Sequence, residues 1–415
     1  MIDAAAIKNI CDYIQQNWEK CVRTNQNDVD TLIGMPHSYV VPCIKGSFQE
    51  MYYWDTYFTN QGLLIQELQA LVKSNTDNIL YLVDRYGFMP NGNRTYYLNR
   101  SQPPYLSMMV RDVFEVYKDI DWLRNAYNIL KKEYDFWMTH RCSKSGLNHY
   151  YQHAEVEDLL GIFQGVQRRL KCEEQADEFR SEEDRKIQGA HYMAECESGW
   201  DFNPRFEGRC ADFNPVDLNS NLYLYENNFA WFSEKLNNGE KDLWAQRAET
   251  RRNLMNRYSW DAQKGLFMDY DYVNDKQSSI ASLASFHPLW AGLASREQAE
   301  AARKNLKRFE YDFGLSTCEA GERKVSYQWD YPNGWAPLHY IVMKGLLNYG
   351  FTEDAKRIGY KYIELCVKNF EATSSLWEKY NVIDGTIQSK GEYEPPAMLG
   401  WTAGVFVYAA TLVEI

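Results

Sequence analysis

A chain of 415 residues, 45% hydrophobic and 15% aromatic, can bury a large core as one big domain or as two to three ordinary ones. Its formal charge of -12 argues against a nucleic-acid phosphate partner and against an anionic membrane surface. Nine cysteines with no CxxC pair favour reduced, mostly buried thiols over a disulfide framework, and hence a cytoplasmic location.

In chain order, Met1-Ile2-Asp3-Ala4 shows no signal peptide and opens directly into a helical pattern. Ile7, Ile10, Cys11, Ile14 and Trp18 recur there at three- and four-residue steps. The same periodicity runs through about residues 54–71, 76–86, 105–117, 122–137, 218–235, 241–258, 279–293, 296–309, 335–349, 352–369 and 400–413. The most apolar stretch, 397–413, is short and carries Gly400, Thr402, Gly404 and Thr411, too interrupted to span a bilayer. Period-two runs of Val, Ile and Thr are scarce, and no Gly/Ser- or Pro-rich linker divides the chain, which predicts one domain over 1–415.

The predicted helices come in pairs joined by short turns, alternating with longer segments rich in Gly, Pro and aromatics. Such an all-α chain can close into a double ring, an (α/α)6 barrel with long loops over a deep cavity; a helical solenoid is the alternative. The segment at about 155–190 is dense in charge, with apolar positions at Leu159, Ile162, Phe163 and Val166. It reads as a helical excursion whose charges face solvent.

Five clusters fit neither a helix face nor a strand face. The first contains Phe48, Glu50, Tyr52, Tyr53, Trp54, Asp55 and Tyr57; Asp55 lies where a helix begins, so helix capping competes with a ligand role, and core packing competes for the rings. The second is Pro90-Asn91-Gly92-Asn93-Arg94, followed by Asn99-Arg100-Ser101-Gln102-Pro103-Pro104, a turn-rich stretch. Arg100 and Gln102 there either reach hydroxyls or tie the loop to its neighbours. The third is Glu197-Ser198-Gly199-Trp200-Asp201-Phe202. A carboxyl held against an indole is disfavoured in its charged form, which suits a general acid; capping or pairing with Arg205 competes.

The fourth cluster is Gln328-Trp329-Asp330-Tyr331-Pro332-Asn333-Gly334-Trp335-Ala336-Pro337. The fifth is Gly391-Glu392-Tyr393-Glu394-Pro395-Pro396, leading into Gly400-Trp401-Thr402, with a candidate general base among its carboxylates. Indole and phenyl planes beside amide and carboxylate ends suit a sugar, whose C–H face meets the rings while its hydroxyls meet the polar groups. Two carboxylates from distant parts of the chain are what a glycosidase requires: one gives a proton to the leaving oxygen, and the other activates water or attacks the sugar. Metal and cofactor chemistry find no support. His149 and His153 are four apart without a third ligand, and GxGxxG, Walker A and GxSxG patterns are missing.

In this order the five clusters resemble the trehalases of glycoside hydrolase family 37, from about Phe48 to Gly404. Gly46, Phe48, Glu50, Tyr52, Trp54, Asp55 and Tyr57 match the family's first signature; the fourth cluster matches the second signature letter for letter. The other three match family motifs closely, and Val216-Asp217-Leu218-Asn219 and Glu378-Lys379-Tyr380 are also similar. The resemblance implies an (α/α)6 barrel and an inverting, metal-independent hydrolysis of an α-glucosidic bond, with Asp201 as general acid and Glu392 as general base. It places Phe48, Trp54, Asp55, Asn93, Arg100, Gln102, Gln328 and Trp335 along the sugar sites; Tyr53, Trp200, Trp329 and Trp401 of the aromatic clusters are further candidate substrate-binding residues.

Two departures bear on substrate. Ser47 stands where the family has Arg, and after Tyr151 the chain reads Gln152-His153-Ala154-Glu155 instead of a motif that supplies another Arg and Glu. Losing one charge-assisted hydrogen bond costs about 1.5–3 kcal/mol. His153, Glu155 or the charged excursion are candidates to fill the space. Trehalose is the first expected substrate, another α-glucoside or glycoside the second, and a catalytically silent sugar-binding protein the third.

Overall fold

The computed structural model describes residues 3–172, 181–387 and 398–413. Among them are fourteen α-helices: α1 (Ala4–Asn17), α2 (Tyr53–Ile65), α3 (Gln69–Tyr86), α4 (Leu106–Tyr117), α5 (Ile120–His140), α6 (Val156–Leu170), α7 (Glu182–Ser198), α8 (Val216–Leu236), α9 (Lys241–Tyr258), α10 (His287–Trp290), α11 (Arg296–Lys304), α12 (Ala336–Asn348), α13 (Thr352–Thr373) and α14 (Gly400–Val413). Strands among the described residues are two or three residues long.

Packing order separates a barrel from a solenoid, because a solenoid leaves its first and last repeats apart. Here α2 packs on α4, α4 on α8, α8 on α10, α10 on α12, α12 on α14, and α14 returns to α2. The inner ring closes, and α1, α3, α5, α9 and α13 pack against it as an outer layer. The fold is an (α/α)6 barrel. The division of labour is written in the residues: α14 is buried continuously from Gly400 to Ala409, whereas α5 buries a helical stripe at Leu123, Ala126, Tyr127, Leu130 and Tyr134.

Two expected boundaries move. The break between the second and third helices falls at residues 66–68, where Glu67 takes a left-handed φ of 61°. The helix expected over 279–293 is a short 3-10 turn, Leu283–Phe286, followed by the single turn α10. Pro288 has no N–H to give to a preceding turn and its ring clashes with one, so a helix can begin there but not pass through.

The excursion forms a hairpin, α6 against α7, with its own small core of Phe163, Val166, Tyr192, Cys196 and Phe202. Among the described residues no helix is long and apolar enough to cross a membrane.

Candidate active site

A cavity of about 200 Å³ sits where the five clusters were expected to meet. Of the expected residues, Phe48, Trp54, Asp55, Arg100, Gln102, Asp201, Gln328, Trp329, Trp335 and Trp401 line it. Glu392 lies outside the described residues. Tyr53, Asn93 and Trp200 stand behind the wall. Tyr53 is fully buried and its hydroxyl accepts from Leu106 N at 2.9 Å. Asn93 Oδ1 accepts from Met51 N at 2.7 Å and its Nδ2 donates to Ile33 O at 3.2 Å, so this amide joins loops. Trp200 stacks on Trp329, 5.5 Å between ring centres, and carries Arg205 at 4.2 Å on its ring.

The apolar wall is built from indoles. Trp329 and Trp335 stack at 3.8 Å with planes 3° apart. Trp54 tilts against Trp329 at 5.5 Å and meets Trp401 edge-on at 5.6 Å. Four Trp from three distant segments thus form one surface, and the antiparallel pairing of Asn333–Trp335 with Lys379–Asn381 brings Glu378 to it.

Asp55 is not the N-cap of α2. The cap position is Tyr52, whose side chain makes no capping bond; Gln102 Oε1 accepts from Tyr53 N at 3.1 Å and Trp54 N at 3.2 Å instead. Gln102 therefore does tie its loop to a neighbour by taking two of the N–H groups at the start of α2, and Asp55, in the first turn, lines the cavity. Burial first, then the charges of Glu378 and Asp201, push the Asp55 carboxyl up to about 7. Arg100 NH1 donates to Asn99 Oδ1 at 2.8 Å, and its guanidinium lies 5.1 Å over Tyr97.

Asp201 follows the C-terminus of α7. Gly199 ends that helix at φ 74°, and a Cβ on it would lie 2.8 Å from the Trp54 ring, so a side chain is excluded twice over. Gln328 Nε2 donates to Asp201 O, and Gln328 Oε1 accepts from Lys379 Nζ at 3.1 Å. This amide joins the acid-bearing turn to the strand beside Glu378. Arg205 does not pair with Asp201; it is held by Asp217 and Asp269. Asp330 is likewise absorbed, by Arg323 at 2.9 Å.

Several wall residues had been given no site role from the sequence, although Tyr52, Asn91 and Glu378 lie in the stretches singled out there. Tyr52, Asn91, Tyr97, Cys196 and Glu378 line the cavity, as does Arg169 from α6. Arg169 corrects the view that the excursion's charges only face solvent: its NH1 is 3.7 Å from Asp201 Oδ2. Ser47 is exposed and not among the lining residues. His153 also points elsewhere, its Nε2 on Leu98 O and its ring edge-on to Phe88 at 5.2 Å, and Glu155 is the N-cap of α6. A larger hollow of about 630 Å³ lies beside His153, but among the described residues Asp135 is the one carboxylate on its wall, short of the pair that a glycosidase uses.

The family model of the trehalases matches residues 1–414. The chain belongs to the trehalase family. It is a glycoside hydrolase by that membership. Neutral trehalase Nth1 from Saccharomyces cerevisiae is similar over 97% of this chain and 80% of its own, with 28% identity and a TM-score of 0.79. GH63 mannosylglycerate hydrolase from Thermus thermophilus shares the fold at 16% identity and a TM-score of 0.64, over 97% of this chain and 99% of its own. A rhamnosidase from Klebsiella oxytoca shares it at 11% identity and 0.58, over 98% and 64%.

Proposed function

We propose that the whole chain is one catalytic domain that hydrolyses α,α-trehalose to glucose with inversion. Asp201 gives its proton to the glycosidic oxygen, the C–O bond breaks, and water adds to the anomeric carbon from the opposite face as a carboxylate takes its proton. The observation that carries this reading is the meeting of Asp201 with a second carboxyl, Glu378, on one indole-walled cavity of a trehalase-family chain. The base is Glu392 by motif resemblance. Glu378 is a second reading, favoured by its place on the cavity wall, with its Oε2 3.3 Å from Lys379 Nζ. Arg100, Gln328 and Asp55 supply the polar contacts, with Phe48, Trp54 and Trp335 against the sugar's C–H face.

The test is glucose release from trehalose by the wild type, with a panel of other α-glucosides in parallel and Asp201→Asn as control. Release that vanishes in the variant supports the reading; turnover of another glycoside alone replaces the substrate. Glu378→Gln and Glu392→Gln then separate the two bases, since the true base loses about 10²–10⁴ in rate. The anomer first released, read by NMR, tests inversion.

A further inference from the structure

The hairpin α6–α7 begins directly after Gln152-His153-Ala154-Glu155, where the chain departs from its family's motif, and it adds a cation to the site. Arg169 lines the cavity near the C-terminus of α6, NH1 3.7 Å from Asp201 Oδ2, with its guanidinium carbon 5.5 Å from the Phe202 ring centre. The helix that carries it is firmly seated. Phe163 stacks on Tyr192 at 6.4 Å, and Gln167 Nε2 donates to Tyr192 Oη at 3.1 Å. Gly189 of α7 lies so close to the Leu159 carbonyl that any Cβ there would collide. Phe202 belongs to the same small core and is the residue after Asp201. The packing that fixes α6 therefore also holds Phe202, the neighbour of Asp201 in the acid-bearing turn.

An acid that has given its proton to a leaving oxygen is an anion, and a cation 3.7 Å away stabilises that product more than the protonated starting state. A guanidinium also carries five N–H donors, enough to hold a carboxylate and a sugar hydroxyl together. Arg169 reaches the cavity from the hairpin side, next to the group that meets the leaving sugar. Resting on the hydrolase reading above, we propose that Arg169 is the positioning residue for Asp201 and that, through it, the hairpin sets specificity for the leaving sugar. It holds the acid toward the leaving oxygen and offsets the charge that forms there.

The experiment compares two substrates on Arg169→Gln and Arg169→Lys. α-Glucosyl fluoride has no leaving sugar, and fluoride departs without needing a proton, so it reports the rest of the site. The expected result is a fall in kcat/KM on trehalose of about 10- to 100-fold for Arg169→Gln, the size of one lost charge-assisted contact. The fall on the fluoride stays within about threefold. Arg169→Lys, which keeps the charge, recovers most of the loss. Asp201→Asn shows the same pattern, more steeply. Equal losses on both substrates, or none on either, overturn the proposal. A wild type that turns over the fluoride and not trehalose overturns the substrate reading alone, and the comparison is then made on the α-glucoside of the panel that it does cleave.

Discussion

Two arginines flank the segment that carries Asp201, and they are used in opposite ways. Arg205 is fully buried, its NH2 2.7 Å from both Asp217 Oδ1 and Asp269 Oδ1, its guanidinium against Trp200. Asp269 Oδ1 in turn accepts from Val216 N, the first residue of α8. This cluster joins the turn after α7 to α8 and to the loops beyond. Arg169 keeps 29% of its side chain exposed and meets a carboxyl that is 33% exposed. A fully buried charge held by two carboxylates is scaffold, because moving it would strand ions in the core. A partly exposed charge on a cavity wall is available to a substrate. The pattern of neighbours, more than the residue type, separates the two roles.

The largest effect that sharpens this contrast is on the acid between them. Asp201→Asn should lower hydrolysis by about 10²–10⁴ while the urea midpoint stays near wild type. A variant that keeps its rate would remove Asp201 from the chemistry, and one that unfolds would make it a scaffold residue like its neighbours. Next comes Arg205→Met. Breaking a buried pair from one side costs about 3–5 kcal/mol, because two carboxylates are left without their cation. Equilibrium unfolding in urea measures it, and a loss below about 1 kcal/mol would break the scaffold half of the comparison.

The helical fold was legible because apolar residues recur at three- and four-residue steps, in pairs of helices joined by short turns. Closure was not, since only packing order distinguishes a ring from a solenoid. In the site, the aromatic clusters announced Trp54, Trp329, Trp335 and Trp401, because such density has no use on a surface. Asn93 and Asp330 carried the same kind of signal but serve loops: an amide or carboxylate in a turn reads alike whether its partner is a backbone or a sugar. Arg169 was hidden among other charges. A signal existed, because it lies three residues after buried Val166 and so at the edge of the inward face of α6. Glu378 was noticed only as a similar triplet, and nothing local marks a residue that a strand pairing brings into place.

A smaller effect tests whether Asp55 belongs with the enclosed groups. Its carboxyl is pushed up to about 7 by burial, then by Glu378 and Asp201, whereas an aspartate in the unfolded chain titrates near 3.9. Between about pH 4 and 7 the folded protein therefore binds more protons at this position than the unfolded chain does. Stability from this group falls as pH rises through that window and levels off above it. The urea midpoint of the wild type, taken from about pH 4.5 to 7.5 relative to Asp55→Asn, should decline with rising pH. Parallel curves would mean that the cavity hydrates this carboxyl as well as bulk water does.

The smallest effect is the most discriminating. If Arg169 is tuned for chemistry, removing it should leave the fold almost untouched. An exposed ion pair contributes about 0–1 kcal/mol, and a solvent-facing guanidinium on a ring about 0.5–1 kcal/mol, part of which Gln recovers by packing its own stem on Phe202. Arg169→Gln should thus shift the unfolding free energy by less than about 1 kcal/mol, while Arg205→Met shifts it several-fold more. The hairpin's own core, which Arg169 does not enter, carries its stability. A loss near 3 kcal/mol in Arg169→Gln, about that of a broken buried pair, would show that the mouth of the cavity is held by that ion pair. Any activity change in the variant would then report a displaced hairpin, and the two arginines would be two parts of one scaffold.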